Sequence, residues 1–203
     1  AKSIPAKKYG VRTGEPVAMA LRKCPHLILA RPDFRLYEKN SHDFMAICGR
    51  YAPVVEKFSI DECFLDMSGT QILYPDPVQV AHTIKDKIRE ELGFTVNVGI
   101  SRNKLLAKMA SDFEKPDKVH TLFPEDIPTK LWPLPVRELF LVGHTTAEKL
   151  ERTGIRTIGM LASATPAYIQ SLLGKKLGQQ LHDYANGMDS SPVLCLLYTS
   201  PSP

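Results

Sequence analysis

Two short apolar runs enclose an acidic pair in the first third of the chain. Residues 51–58 and 63–69 are rich in β-forming side chains, and Asp61 and Glu62 lie between them. This pattern predicts a β-hairpin with the acidic pair at its tip. In the middle of a strand, adjacent side chains point to opposite faces, whereas at a hairpin tip two successive carboxylates can converge. The pair is therefore a candidate site for Mg²⁺, which prefers oxygen ligands.

The dipeptide alone does not decide between a metal site and an ordinary solvated turn. A permanent lysine or arginine counter-ion on the two carboxylates would argue against metal binding. The choice between these interpretations therefore depends on the rest of the chain.

Periodic apolar positions predict helices and strands around the hairpin. Helices are predicted at 16–22, 37–50, 76–92 and from 101 through 110, and strands at 27–30, 94–100 and 119–123. The predicted apolar faces are Phe44, Ile47, Cys48 and Tyr51 in the second helix and Val78, Ala81, Ile84, Ile88 and Leu92 in the third. In the fourth, Ser101 is the expected cap, and Lys104 and Lys108 lie one turn apart on the polar side.

Counting one strand before residue 37, the order of elements is strand, helix, strand, strand, helix, strand. This is the split βαβ, ferredoxin-like pattern. We therefore expect an α+β fold in which the hairpin lies at the centre of an antiparallel sheet with helices on one face.

The character of the chain changes after residue 123, where four prolines interrupt it. Short helices are predicted beyond them, at 136–140, 145–153, 157–162, 166–173 and 175–186. We therefore expect a domain boundary after residue 123, followed by an all-helical domain. Residues 194–203 follow none of these patterns and are interpreted as a non-native tail.

In the helical region, residues 141–145 join two short helices through Gly143. Backbone N–H groups at such a tip, and at the start of the helix that follows, can bind a phosphate without reading bases. Lys149 lies one turn further on. An ordinary helical hairpin is the alternative interpretation.

Charge is unevenly distributed along the 203 residues. Residues 1–31 contain seven basic side chains and one acidic side chain, whereas residues 32–101 contain seven basic and eleven acidic ones. A phosphate-bearing ligand held between cations and a metal-carboxylate site would explain both. Chance clustering of surface lysines is the alternative interpretation. The four cysteines have no paired spacing, which indicates reduced thiols in a cytoplasmic protein. No apolar run approaches membrane-spanning length.

Several stretches together resemble the Y-family, lesion-bypass DNA polymerases of the DNA polymerase IV (UmuC-domain) type. Residues 59–66 (SIDECFLD) resemble the second catalytic motif, and residues 98–116 resemble the motif that follows it. Residues 8–14 resemble the fingers, and residues 146–155 resemble the helix-hairpin-helix of the thumb. The resemblance covers about residues 3–193. It implies partial fingers at 1–33, a palm at 34–123 and a thumb at 124–193.

The resemblance implies template-directed DNA synthesis with two Mg²⁺ ions in translesion repair. Asp61 would bind both ions, and Glu62 would bind the ion that activates the primer 3′-hydroxyl. Ser59 would lie near the primer end. Lys7 and Lys115 would contact the incoming deoxynucleoside triphosphate.

The resemblance also implies that Gly143, Thr145 and Lys149 hold the backbone of primer-template DNA. For the full-length protein it implies a sliding-clamp partner and no membrane contact. The chain is expected to be truncated at both ends, without the clamp-binding tail. Residues 1–203 alone are therefore expected to be nearly inactive.

Three departures from the family pattern alter these expectations. The opening strand with the first catalytic Asp has no counterpart in the sequence. Ile4 and Lys7 stand where the family usually has Tyr and Arg, so the charge is kept but a bidentate contact is lost. Leu141 stands where Gly is common, so one close approach to phosphate is expected to be lost.

Two other functions remain open from the sequence. One is a DNA-binding relative that has kept the thumb but not the catalysis. The other is a nucleotide cyclase, which uses a similar acidic hairpin but leaves the helix-hairpin-helix unexplained.

Overall fold

The computed structural model describes residues 2–194, and the chain divides into two compact units between Tyr37 and Glu38. The helices are α1 (Ile4–Lys8), α2 (Val17–Lys23), α3 (Phe34–Cys48), α4 (Pro77–Leu92), α5 (Lys104–Ser111), α6 (His144–Arg152), α7 (Ile158–Ser163), α8 (Pro166–Leu173) and α9 (Lys175–Ala185). The strands are β1 (Val54–Lys57), β2 (Cys63–Asp66), β3 (Val98–Ile100) and β4 (Val119–Thr121). The predicted tail lies outside the described residues, apart from Leu194.

The first unit contains α1 and α2 around a small apolar core of Ala6, Val11 and Ala20. The strand predicted at 27–30 is wrong, because this segment has no regular structure and Ile28 is 90% exposed. A β-strand forms only where a second strand pairs with its backbone. The described residues of this unit contain no strand that could do so.

The predicted hairpin is present in the second unit. Strands β1 and β2 pair antiparallel, with Val54 opposite Asp66 and Lys57 opposite Cys63. Their connection is residues 58–62, so the acidic pair lies where the sequence predicts it. Alternation along the two strands leaves one face of the hairpin apolar.

Helices α3 and α4 cover that apolar face. The buried residues of this core are Phe44, Ile47, Cys48, Val80, Ile84 and Ile88, and Val55, Cys63 and Leu65 of the hairpin pack against them. Helix α4 begins at an Asp76 cap, and it ends at Gly93 in the left-handed conformation, as predicted. One member of the predicted apolar face of α4 is wrong: Val78 is 37% exposed, and Val80 is buried instead.

The α+β class, with helices on an antiparallel hairpin, is confirmed, but the strands do not form one sheet. Strands β3 and β4 make a separate two-stranded sheet and run parallel, with α5 as the crossover between them. Helix α5 passes very close to β3 at Gly99. A Cβ atom there would lie 1.9 Å from the carbonyl oxygen of Ala107, so only glycine fits.

Helix α5 begins two residues later than predicted. Its cap is Asn103, whose side chain accepts a hydrogen bond from the Leu106 N–H at 2.9 Å. Ser101 instead donates its hydroxyl to the Leu122 carbonyl, which ties the end of β3 to the end of β4. The prediction failed because either residue type can cap a helix.

A second core joins α5 to the helical region that follows. Its fully buried members include Leu106, Leu131, Leu139, Leu150, Ile158, Leu161, Ile169 and Leu181. Helices α6 to α9 lie within one or two residues of their predicted bounds, and the first predicted helix of this region is a short 3₁₀ turn, Val136–Glu138. No helix of residues 2–194 is long and apolar enough to cross a membrane.

Replacing Ile88 with alanine is predicted to destabilise the protein strongly, because Ile88 is 1% exposed in the core beneath the hairpin. We expect a loss of about 2–5 kcal/mol in the free energy of unfolding, measured by urea denaturation. Ile72→Ala is the matched control, since Ile72 is 95% exposed and should change stability by less than about 0.5 kcal/mol. Equal losses in the two variants would contradict the core assignment.

Candidate functional site

Backbone hydrogen bonds shape the tip of the β1–β2 hairpin. The Glu62 carbonyl accepts the N–H groups of Phe58 at 2.9 Å and Ser59 at 3.0 Å. The Ser59 hydroxyl donates to Oδ1 of Asp61 at 2.7 Å. The structure thus places Ser59, Asp61 and Glu62 within one tight loop, with the Asp61 side chain exposed.

Two lysines of α5 bind the carboxylates of the hairpin. Lys104 contacts Glu56 of β1 at 2.6 Å, and Lys108 contacts Glu62 at 2.6 Å. Lys104 also lies 5.0 Å from the centre of the Phe64 ring. Sequence reasoning assigned both lysines to a polar surface and missed these contacts. Their one-turn spacing was the available signal, because it places two ammonium groups on one face of the helix.

Lys108 is shared between two carboxylates. Its ammonium lies 2.6 Å from Oε1 of Glu62 and 3.1 Å from Oδ2 of Asp112, and its side chain is only 16% exposed. Burial lowers the pKa of Lys108, but the hydrogen bonds to these carboxylates outweigh it and hold the pKa above its usual value. Lys108 is therefore positively charged at neutral pH.

Lys115 belongs to the same series of charges. It contacts the other oxygen of Asp112 at 2.6 Å, and its side chain is 57% exposed. Burial raises the pKa of Asp112, whereas the hydrogen bonds from Lys115 and Lys108 lower it by more. The candidate catalytic residue Glu62 and the candidate nucleotide-binding residue Lys115 are thus connected through Lys108 and Asp112.

Lys7 lies in the first unit, in the last turn of α1, and its side chain is exposed. Ile4 begins the same helix and is 65% exposed. Within that unit, both side chains are open to solvent.

The tip has the donor chemistry of a magnesium site that relies on its ligand for further oxygens. Within residues 2–194, no group of three or more His, Cys, Asp or Glu side chains is arranged to hold a metal ion. Mg²⁺ is usually held by one or two carboxylates together with phosphate oxygens and water. Asp61 and Glu62 fit that pattern, provided that Lys108 releases Oε1 of Glu62.

The first turn of α6 presents an uncapped helix N-terminus to solvent. Gly143 is the N-cap and makes no side-chain cap hydrogen bond. Thr145 in the first turn and Lys149 one turn later are both exposed. The structure therefore brings together the three residues predicted to hold a DNA backbone.

Leu141 precedes this turn with φ +70°, in the left-handed region. Its side chain is 48% exposed, so burial does not compensate for the backbone conformation. A glycine would adopt it without a steric penalty, which explains in physical terms why glycine is common there.

A small aromatic cleft connects the hairpin with the helical region. Phe58 makes an edge-on contact with Phe64 at 5.4 Å between ring centres and lies 6.0 Å from Phe140, which stacks on Tyr184 at 6.3 Å. The cleft has a volume of about 120 Å³ and is also lined by Lys104, Leu105, Lys108, Asp189 and Ser191. Sequence reasoning did not predict it, since its residues are distant in the chain.

Comparison with known proteins agrees with the fold and the motifs. Residues 1–112 match the impB/mucB/samB family, and residues 138–189 match the family described as "DNA polymerase-iota, thumb domain". A mixed palm-like α+β region with an acidic hairpin, followed by a helical thumb, defines the class of Y-family polymerases. The chain belongs to the impB/mucB/samB family within that class, and the resemblance expected from its motifs is confirmed.

Curated relatives include DNA polymerase IV of Clostridium acetobutylicum, which is 47% identical over 193 residues, or 95% of this chain and 48% of the relative. DNA polymerase IV of Clostridium kluyveri is 44% identical over 188 residues, or 93% of this chain and 47% of the relative. The chain thus spans about half the length of the relatives it matches.

Solved structures give the same result. The crystal structure of DinB from Sulfolobus solfataricus superposes with a TM-score of 0.85 at 29% identity, over 94% of this chain and 56% of that one. A structure described as a Dbh ternary complex superposes with a TM-score of 0.85 at 28% identity, over 95% of this chain and 58% of that one.

Leu141→Gly is predicted to stabilise the protein, because it removes the penalty of a left-handed leucine. A penalty of about 1–2 kcal/mol, partly offset by the entropy that glycine loses on folding, leaves a net gain of roughly 0.5–1 kcal/mol. Leu141→Ala keeps a Cβ atom and should show no such gain. Chemical denaturation of the three proteins measures the difference, and a glycine variant no more stable than the alanine variant would contradict the explanation.

Proposed function

We propose that this chain forms the palm and thumb part of a DNA-directed DNA polymerase that acts in translesion synthesis with two Mg²⁺ ions. The observation that carries the proposal is the tight hairpin tip, where Asp61 and Glu62 are adjacent and Lys108 contacts Glu62. The similarity of the chain to DNA polymerase IV sequences supports the same proposal. Because the relatives are about twice as long, activity, substrates and partners are proposed for the whole protein.

In the proposed reaction, Asp61 and Glu62 would hold the two Mg²⁺ ions that act on the substrates. When bound, the two Mg²⁺ ions lower the pKa of the primer 3′-hydroxyl and stabilise the leaving pyrophosphate. Ser59 orients Asp61 through its hydroxyl hydrogen bond of 2.7 Å. Lys115 supplies positive charge to the triphosphate, and Lys7 is proposed to do the same from the fingers.

The ammonium of Lys108 partly neutralises the acidic tip through its contact with Glu62. Two observations indicate that a metal ion can displace this contact. Lys108 touches one oxygen of Glu62, and Asp112 is already within 3.1 Å as an alternative partner. The carboxylate of Asp61 has its hydrogen bond from Ser59 and is exposed, so it remains accessible to a cation.

A second candidate function is DNA binding without catalysis. The contact between Lys108 and Glu62 is the specific observation in its favour, since a neutralised acidic tip would not hold metal. The two functions share the thumb and differ in the behaviour of the hairpin carboxylates, which the first experiment below tests.

DNA binding is proposed to use the exposed N-terminus of α6. The N–H groups that follow Gly143 and the side chain of Thr145 would contact phosphate oxygens, and Lys149 would add a charge. None of these contacts reads base identity. The proposed binding is therefore independent of sequence, as copying any template requires.

Three further expectations stay predictions. Two concern the whole protein, namely the sliding-clamp partner and the cytoplasmic location, and the third is the low activity of residues 1–203 alone. The altered nucleotide affinity expected from Ile4 and Lys7 also stays a prediction.

Asp61→Asn is predicted to reduce primer extension by the whole protein by about 10²-fold or more, because it removes a metal ligand without changing shape. Glu125→Gln is the matched control, since Glu125 is exposed and carries the same charge change. A gel assay with Mg²⁺ and a primed template measures both variants. Full activity in Asp61→Asn would refute catalysis at this tip, and no activity in any form would favour the binding function.

Lys149→Ala is predicted to weaken DNA binding equally for unrelated sequences. Losing one phosphate contact should reduce the slope of log K against log salt concentration by about one. Lys176→Ala on α9 is the control for loss of a thumb charge. Fluorescence anisotropy with two duplexes measures the slopes, and a loss confined to one duplex would contradict a backbone contact.

A further inference from the structure

Four charged side chains of alternating sign form a continuous series beside the hairpin tip. From the tip outward they are Glu62, Lys108, Asp112 and Lys115, joined by contacts of 2.6, 3.1 and 2.6 Å. We infer that Asp112 couples metal binding at Glu62 to phosphate binding at Lys115, with Lys108 as the moving part. This inference rests on the proposed function.

The partial burial of Lys108 favours the coupling. Its side chain is 16% exposed, whereas those of Glu62, Asp112 and Lys115 are 38%, 43% and 57% exposed. A partly buried ammonium that loses one carboxylate is stabilised by keeping another, because an unpaired charge away from water is costly. When a cation takes Glu62, Lys108 therefore remains on Asp112 alone.

Asp112 then has less need of Lys115. The carboxylate of Asp112 divides its two oxygens between the two lysines. A closer contact with Lys108 neutralises that carboxylate and weakens its hold on Lys115. Lys115 is the most exposed member of the series, so it is the one free to turn toward a phosphate.

The neighbouring lysine of α5 cannot replace Lys108 in this role. Lys104 is bound to Glu56 at 2.6 Å and also donates to the Pro192 carbonyl at 3.4 Å. Lys104 therefore has partners of its own, and none of them belongs to the series. The series through Asp112 is therefore the route by which charge at the tip affects Lys115.

Reciprocity makes the coupling measurable from either end. If a cation at Glu62 releases Lys115, then a phosphate on Lys115 must favour the cation by the same factor. Couplings of this kind typically change affinity by about 5-fold or more.

The first experiment titrates Mn²⁺ alone into the chain by calorimetry. Lys108→Met should tighten Mn²⁺ binding by about 5-fold, because the competing ammonium is gone, and Lys108→Arg should restore the original affinity. Asp112→Asn should weaken Mn²⁺ binding by about 3-fold or more, since Lys108 then keeps Glu62 as its single partner. The double variant should bind Mn²⁺ like Lys108→Met.

That last result separates the coupling from a general effect of charge. If Asp112 acted only through its distant field, its loss would weaken Mn²⁺ binding equally with or without the Lys108 ammonium. Glu114→Gln is the matched control, since Glu114 lies two residues away, is exposed, and carries the same charge change. Additive effects in the double variant, or an equal effect of Glu114→Gln, would overturn the inference.

The second experiment measures inorganic tripolyphosphate binding in the presence of EDTA. Asp112→Asn should bind tripolyphosphate about 3-fold more tightly, because Lys115 is released in advance. Combining it with Lys115→Met should abolish the gain, and Glu114→Gln should not reproduce it. A gain that persists without Lys115 would contradict the proposed route.

Glu62→Gln distinguishes this inference from the proposed function. If it leaves Mn²⁺ affinity unchanged, the metal site is wrong and the coupling falls with it. If it weakens Mn²⁺ binding while the Lys108 and Asp112 variants behave additively, the metal site stands and only the coupling is overturned. Thermal melts of each variant verify that the comparison is between folded proteins.

Discussion

Helix α5 is held between the carboxylates of the hairpin on one side and the apolar core of the helical region on the other, and the candidate site depends on this arrangement. Its leucines are almost fully buried in the second core. Its lysines, Lys104 and Lys108, bind Glu56 and Glu62. One short helix thereby fixes where positive charge meets the acidic tip. Because desolvation offsets much of the attraction in a partly buried ion pair, these contacts add little net stability.

The aromatic cleft adds a second connection between the same regions. Phe58 lies beside the acidic pair in sequence and contacts Phe140 just before the thumb hairpin. The predicted boundary between palm and thumb after residue 123 is crossed by the second core, which includes both Leu106 and Leu150. The hairpin, α5 and the start of the thumb are therefore mechanically linked, whichever boundary divides them by sequence.

Local sequence patterns predicted most of the helices and strands, because apolar periodicity, caps and turn residues are all short-range signals. The hairpin follows from two β-rich runs around Asp61 and Glu62, and α4 follows from its Asp76 cap and Gly93 end. The strand at 27–30 failed because strand formation requires a partner that apolar composition cannot reveal. The parallel pairing of β3 with β4 was missed for the same reason, since pairing is a long-range property.

The same division applies to the candidate site. Asp61, Glu62 and Lys115 were predicted as site residues because they lie in motifs with a characteristic order. Glu56, Lys108 and Asp112 were missed, because their roles arise only when α5 packs beside the hairpin. Lys108 and Glu62 are 46 positions apart, and no spacing rule connects them. The family resemblance predicted the candidate site residues, whereas the structure shows the counter-ions around them.

The absence of one methyl group at Gly99 sets the height of α5 above its sheet. Any larger residue would meet the carbonyl of Ala107 and the N–H of Ser111, on the turns that flank Lys108 and precede Asp112. A displaced α5 would change the contacts of Lys104 and Lys108 with the hairpin, because both side chains project from this helix. The positions of the charges around the hairpin tip thus depend on Gly99, a residue that itself carries no charge.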